Sequence, residues 1–147
     1  MKAIDAIDSV RALAERAGRL SANTTAGPFF STVGVDPRNP ADRLVHLSQG
    51  GLLLERDVYL RDDDASVGLR AGYRAYLERI FTLVGRAEPA ADAQAVVGVE
   101  TEIARAHRLA SDGGDPEGPA APLTPSQLNS AFPGFDWVAW ARPQGID

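Results

Sequence analysis

Strand-like alternation occurs once in this chain, and everything else with a period reads as helix. In Pro28–Leu60, Phe29, Ser31, Val33 and Val35 fall on one side of a two-residue ladder, with Phe30, Thr32, Gly34 and Asp36 on the other. Asp36-Pro37-Arg38-Asn39-Pro40 interrupts the ladder with two prolines that cannot donate to it. Alternation resumes over Leu44–Gln49, with Val45 and Leu47 on one side and His46 on the other, until Gly50-Gly51 releases the chain. One hairpin near residues 29–49, closed by a long loop, is all the sheet these residues can make. The expected fold is therefore mainly α: a helical domain with an antiparallel helix pair and one small β-hairpin.

The helical stretches follow in order. Ile4, Ile7, Val10, Leu13, Ala14, Ala17 and Leu20 recur at threes and fours, with Asp5 and Asp8 near the start and Arg16 and Arg19 near the end. Gly18 is the expected stop, and Ser21–Gly27 a polar connector. Asp57 is placed to cap a short turn through Val58-Tyr59-Leu60. Ser66 is the candidate N-cap of a longer helix with the stripe Leu69, Tyr73, Tyr76, Leu77, Ile80, Phe81 and Val84, closed by a left-handed Gly85. Glu88-Pro89 opens the next, whose stripe is Ala93, Val96, Val97, Glu100, Ile103, Ala104 and His107. Two such helices on a short loop imply the antiparallel pair. Residues 1–110 are thus expected to form the helical domain, and 111–122, rich in Gly and Pro, a linker. In 123–147, Thr124-Pro125-Ser126-Gln127 has capping-box spacing, Pro133-Gly134 ends that helix, and Asp136 caps one more turn; this segment is expected to be truncated.

Composition excludes several functions. Net charge is -5 and Lys2 is the only lysine, so neither nucleic acid nor an anionic membrane surface is an expected partner. The absence of cysteine excludes disulfides, thiolate catalysis and Cys-based zinc sites. Asp5, Asp8 and Glu15 interrupt the N-terminal apolar residues, which does not suit a signal peptide, and no apolar run is long enough to span a membrane.

Candidate chemistry rests on few residues. The histidines are His46 and His107, and no His-Glu-x-x-His sequence exists. Glu100 and His107 share a helix face, but seven residues separate them by roughly 10.5 Å along the axis, too far to share an ion whose ligands bind at about 2 Å. His107 reads as a core-lining histidine and His46 as a surface one. Glu100, inside an apolar stripe, needs a partner, and Arg70 or Arg74 is expected to form a structural ion pair with it. Asp62-Asp63-Asp64 lacks the spacing of a calcium loop and reads as a solvated loop. No Gly-x-Ser-x-Gly elbow or phosphate loop is present. No catalytic, cofactor-binding or metal-ligating residue is therefore assigned. Phe132, Phe135, Trp137 and Trp140 bring four aromatics into nine residues, and part of that cluster is expected to lack a lid.

The order of these features resembles the N-terminal region of the neprilysin and endothelin-converting-enzyme family of zinc metallopeptidases. The family's Val-x-x-Asp-x-x-Asn segment is matched by Val33, Asp36 and Asn39. Its Gln-x-Gly-Leu-x-Leu-Pro-x-Arg-Asp-Tyr-Tyr motif is matched by Gln49, Gly51, Leu52, Leu54, Arg56, Asp57 and Tyr59, with one residue fewer between Leu54 and Arg56. Glu-x-x-x-Ala-x-x-His corresponds to Glu100, Ala104 and His107, and Pro-Gly-Phe-Asp-Trp to residues 133–137. Leu53, Glu55 and Val58 depart from the family pattern, as does Arg108, where an aromatic usually stands.

The resemblance implies scaffold rather than catalyst. The family's zinc helix and its downstream Glu-x-x-x-Asp helix have no counterpart here, so no cofactor is expected in this chain, zinc belonging to the full-length parent. The expected role is a fragment or remnant of a peptidase, inactive alone, with the missing catalytic domain as partner. The alternative is a stand-alone helical interaction module docking another protein through its aromatic C-terminal segment; an independent small hydrolase is the weakest reading. Parent enzymes of this kind are often membrane-anchored or extracytoplasmic. Full cover of Trp137 and Trp140 by the chain itself would weigh against a fragment, and a sizeable exposed apolar patch would weigh for one.

Overall fold

In the computed structural model, residues 4, 6–23, 27, 29–108 and 121–146 are described. Their fold is mainly α, with six helices and one two-stranded antiparallel sheet among them. By contacts the chain divides into two compact units, Met1–Gly50 with Asp115–Asp147, and Gly51–Gly114. Most of the expected linker, residues 111–120, lies outside the described residues.

The first unit opens with α1 (Val10–Asn23). This helix starts later than its apolar repeat suggested, because the Ser9 hydroxyl accepts from the Ala12 N–H at 3.2 Å and so caps the turn. Gly18 is not its stop. It lies inside the helix, where an added Cβ would fall 2.1 Å from the carbonyl oxygen of Trp140. Only small residues fit so close an approach. Ala14, Ala17 and Gly18 are buried, whereas the larger members of the expected stripe, Val10, Leu13 and Leu20, are exposed.

β1 (Phe29–Asp36) pairs with β2 (Asn39–Gln49), aligning Val33 with Val45 and Ser31 with Leu47. The connecting loop is not long: Asp36 lies opposite Asn39, leaving only Pro37 and Arg38 between them. Asp36 makes this possible by accepting the Arg38 N–H on Oδ1 at 2.8 Å, a side-chain mimic of a backbone turn. Register then slips between Val35 and Asp36, so residues 40–42 bulge out of the ladder and Pro40 joins β2 with no cross-strand bond to forfeit.

The C-terminal helices complete this unit. α5 (Pro125–Ala131) starts with the expected capping box: the Thr124 hydroxyl accepts from Gln127 N at 3.2 Å, and the Gln127 side chain accepts from Thr124 N at 2.8 Å. α6 (Trp137–Ala141) is capped by Asp136, which accepts from Ala139 N at 2.9 Å. A short 3-10 turn, Arg142–Gln144, follows. α6 packs on α1, and the core consists of Ala14, Ala17, Trp137, Ala139, Trp140 and Ala141.

The second unit holds α2 (Arg56–Leu60), α3 (Asp64–Leu83) and α4 (Pro89–Ala106). Asp57 lies within the first turn of α2 instead of capping it. Asp63, not Ser66, caps α3: its carboxylate accepts the Ser66 N–H at 3.0 Å and hydroxyl at 2.9 Å, which buries Ser66 at the third helical position. The helix closes as expected on Gly85 (φ 74°), with Arg86 N donating to Phe81 O and Gly85 N to Thr82 O, a Schellman motif. α3 buries Tyr73 and partly covers Leu77 and Phe81, while Leu69, Tyr76, Ile80 and Val84 of the expected stripe stay exposed. α4, with Pro89 in its first turn, buries Ala93, Val97 and Ala104 as its periodicity predicts. No helix among the described residues is long and apolar enough to cross a membrane.

Candidate functional site

Glu100 does have partners, but they are not arginines. Its Oε2 accepts the Tyr59 hydroxyl at 2.7 Å and its Oε1 the Tyr73 hydroxyl at 3.0 Å, so α2 and α3 each send one phenol to the carboxylate on α4. The expected ion pair fails because both guanidiniums are engaged elsewhere. Arg70 donates to the Val58 carbonyl at 2.6 Å and pairs with Asp62 at 3.3 Å, and Arg74 donates to Gln94 Oε1 at 3.2 Å. A phenol can satisfy a half-buried carboxylate without bringing a second charge out of water, which makes it the cheaper partner here.

The same cluster gathers residues far apart in sequence. Arg56 Nε donates to the carbonyls of Ala104 at 3.0 Å and His107 at 3.2 Å, closing the C-terminal end of α4 where carbonyls lack helical partners. Tyr59 accepts the Leu54 N–H at 3.2 Å while donating to Glu100. Leu54, Arg56 and Tyr59 therefore join Glu100, Ala104 and His107 in one network. Burial, reinforced by the Glu100 charge, pushes the Tyr59 phenol up to about 12 and raises Tyr73 as well. Both hydroxyls stay protonated, as donors to the carboxylate must. Nothing in this arrangement pairs a base with an acid; it holds three helices together.

The aromatic cluster is a second focus. Phe29, Phe135 and Trp137 form a mutually packed trio with ring centroids 5.0–5.5 Å apart, and Trp140 meets Trp137 edge-on at 6.1 Å. Asn129 accepts the Trp137 N–H at 2.6 Å and the Phe132 carbonyl accepts its indole N–H at 3.2 Å, so the Pro133–Asp136 turn aims Trp137 inward. Trp137 and Trp140 are only 8% and 2% exposed, and the part of the cluster left uncovered is Phe132, alone of the four in being exposed. The cover over both tryptophans weighs against a fragment.

Beside this cluster runs a groove of ≈ 620 Å³ between β2 and the segments around α5 and α6, with Trp140, Leu128 and Ile146 in its walls and Arg38, Arg43 and His46 along it. His46 is exposed there, while His107 caps the end of α4. The three aspartates at 62–64 divide into an Arg70 partner, the α3 cap and the first helical residue. No group of three His, Cys, Asp or Glu among the described residues is placed to hold a metal ion. The roles of Tyr59, Tyr73 and Arg56 were missed from sequence. Tyr73, a hydroxyl-bearing member of the α3 apolar stripe, was the one available signal.

Similarity to known proteins follows this architecture. The family model for the N-terminal domain of peptidase family M13 matches residues 1–146. Human endothelin-converting enzyme-like 1 is 36% identical over 82 residues, covering 55% of this chain and 11% of that protein, and its rat counterpart is 33% identical over the same length. Two structures of the Mycobacterium tuberculosis zinc metalloprotease Zmp1 superpose well. The open state gives a TM-score of 0.80 at 29% identity over 97% of this chain, and the inhibitor complex 0.79 at 28% over 98%. In each case this chain spans 22% of the Zmp1 chain. The chain belongs to peptidase family M13, the family of neprilysin and the endothelin-converting enzymes.

Proposed function

We propose that this chain serves as a non-catalytic N-terminal domain of an M13 zinc peptidase, a scaffold for peptide hydrolysis carried out elsewhere in the parent enzyme. The observation that supports this most directly is coverage: nearly all of this chain superposes on Zmp1, yet it amounts to 22% of that metalloprotease. The Glu100 network fits the same role, since the resemblance motifs around Arg56-Asp57-Tyr59 and Glu100–His107 meet each other rather than a reacting centre. In this reading α3 and α4 form the antiparallel pair, with Arg86–Asp92 near their connection and Tyr73–Glu100 farther along.

The sequence has no His-Glu-x-x-His, the ligand sequence that the resemblance assigns to the zinc of the parent family. No hydrolytic step is derived for this chain. Purified protein, incubated with a quenched fluorescent peptide and added zinc, is expected to show no cleavage above background. Cleavage that a chelator abolishes would overturn the inactivity. In the alternative, a stand-alone module docking through its aromatic C-terminus, Phe132 is the exposed aromatic of that segment. A neighbouring reading frame encoding His-Glu-x-x-His favours the peptidase part; an intact unrelated neighbour favours the module.

A further inference from the structure

The groove beside β2 has a geometry that side-chain lining alone does not explain. Five consecutive residues, Arg43 through Leu47, border it. Consecutive strand residues point to opposite faces, so a groove that meets all five runs along the strand's backbone edge. That edge is the one away from β1, because the groove meets β1 only at Asp36, beside the turn. The sheet has two strands, which leaves this edge of β2 without a ladder partner among the described residues. The bulge at 40–42 blocks pairing farther back, so the usable edge spans about five residues, roughly 16 Å at the usual strand rise.

The opposite wall is apolar, formed by Leu123, Pro125, Leu128 and Ile146. Trp140 also lines it, with its indole N–H enclosed and without a hydrogen-bond partner among the described residues. Charge sets the remaining preference. Asp36 is held by Arg38 at 3.4 Å, whereas Arg43 donates to the carbonyls of Pro40 and Asp42 and has no carboxylate partner among the described residues. In a chain of net charge -5, the rim of this groove is locally positive.

We propose that the free edge of β2 receives an extended peptide segment of another protein, which adds as a third strand, lays apolar side chains against Leu128 and Ile146, and places a carboxylate at Arg43. Backbone bonds along the edge provide affinity, and the wall and Arg43 provide selectivity.

Calorimetric titration of the full 147-residue chain with the capped peptide Thr-Val-Glu-Val-Thr-Val tests it, with tryptophan fluorescence as a second readout. Saturable binding is expected, weakened about tenfold or more by Arg43→Glu and retained by Arg43→Lys, with unchanged circular dichroism showing that both variants fold. Of two peptides N-methylated at odd or at even positions, one should lose binding and the other keep it, because only one set of N–H groups faces β2. Equal binding of the peptide with Lys in place of Glu, equal binding of both methylated peptides, or no saturable signal would each overturn the proposal. So would sedimentation showing that the chain pairs with a second copy of itself through this edge, seen as a dimer that Arg43→Glu dissociates.

Discussion

Replacing Glu100 by alanine would remove the acceptor of two tyrosine hydroxyls at once. Tyr59 and Tyr73 are 4% and 8% exposed, and their hydroxyls reach Glu100 at 2.7 and 3.0 Å, so neither finds water easily once the carboxylate is gone. A hydrogen bond to a charged group contributes about 1.5–3 kcal/mol, and each stranded donor costs about 1–3 kcal/mol. Tyr59 keeps its bond from Leu54 N, which limits the loss on that side. The combined effect should be about 3 kcal/mol, and roughly 6–12 °C in melting temperature for a chain of this size. Glu100→Gln, which retains one acceptor oxygen, should fall between. The measurement is a thermal melt by circular dichroism at neutral pH, with urea unfolding as a check. The same network sets an alkaline limit. Tyr59 is raised to about 12 in the fold from an unfolded value near 10, so its protonated form is the stabilised one. Its contribution is therefore complete below about pH 10 and is lost as pH climbs through the folded value. Stability should drop steeply over that interval, and the ultraviolet absorbance of tyrosinate should rise with it. A melting temperature unchanged in Glu100→Ala would refute the assignment of Glu100 as the pin of these helices.

Gly18→Ala should destabilise, although alanine is the better helix former by about 1 kcal/mol, because its methyl would press on the Trp140 carbonyl; a net loss of about 1–3 kcal/mol, read by urea unfolding with tryptophan emission shifting to the red, is expected. At acid pH the α3 cap should be lost. Asp63 is held below the usual carboxylate range, chiefly by the Ser66 N–H, so its contribution is present above the unfolded value and vanishes as pH falls through the folded one. Asp63→Asn, which still accepts that bond, should flatten the acid limb of the stability profile.

Local chemistry was legible from the residues alone. The Thr124 capping box, the left-handed Gly85, Pro89 in the first turn of α4 and the single hairpin all depend on neighbours a few positions away, and all are observed. The Asp36–Asn39 turn was misread because an Asx turn and a three-residue bulge, taken together, look like a long loop when only prolines are counted. Ser66 was misread as a cap because Asp63, three residues earlier, offers a stronger acceptor to the same N–H. The candidate site was less legible. Periodicity placed Glu100 on a buried face and required a partner, but nothing in spacing distinguishes a guanidinium from a phenol across two other helices.

The sequence by itself determined which stretches are helical, where α3 closes and α5 opens, that the sheet is one hairpin, which peptidase family the motifs resemble, and that no His-Glu-x-x-His sequence is present. Those properties reside in short spacings and in residue identity. Only the tertiary structure decided that Tyr59 and Tyr73 hold Glu100, that Gly18 marks a helix contact instead of a helix end, and that both tryptophans are covered from within the chain. It alone also placed an apolar wall beside the free edge of β2. Each of these depends on residues tens of positions apart meeting at a few ångströms, which one-dimensional periodicity does not encode.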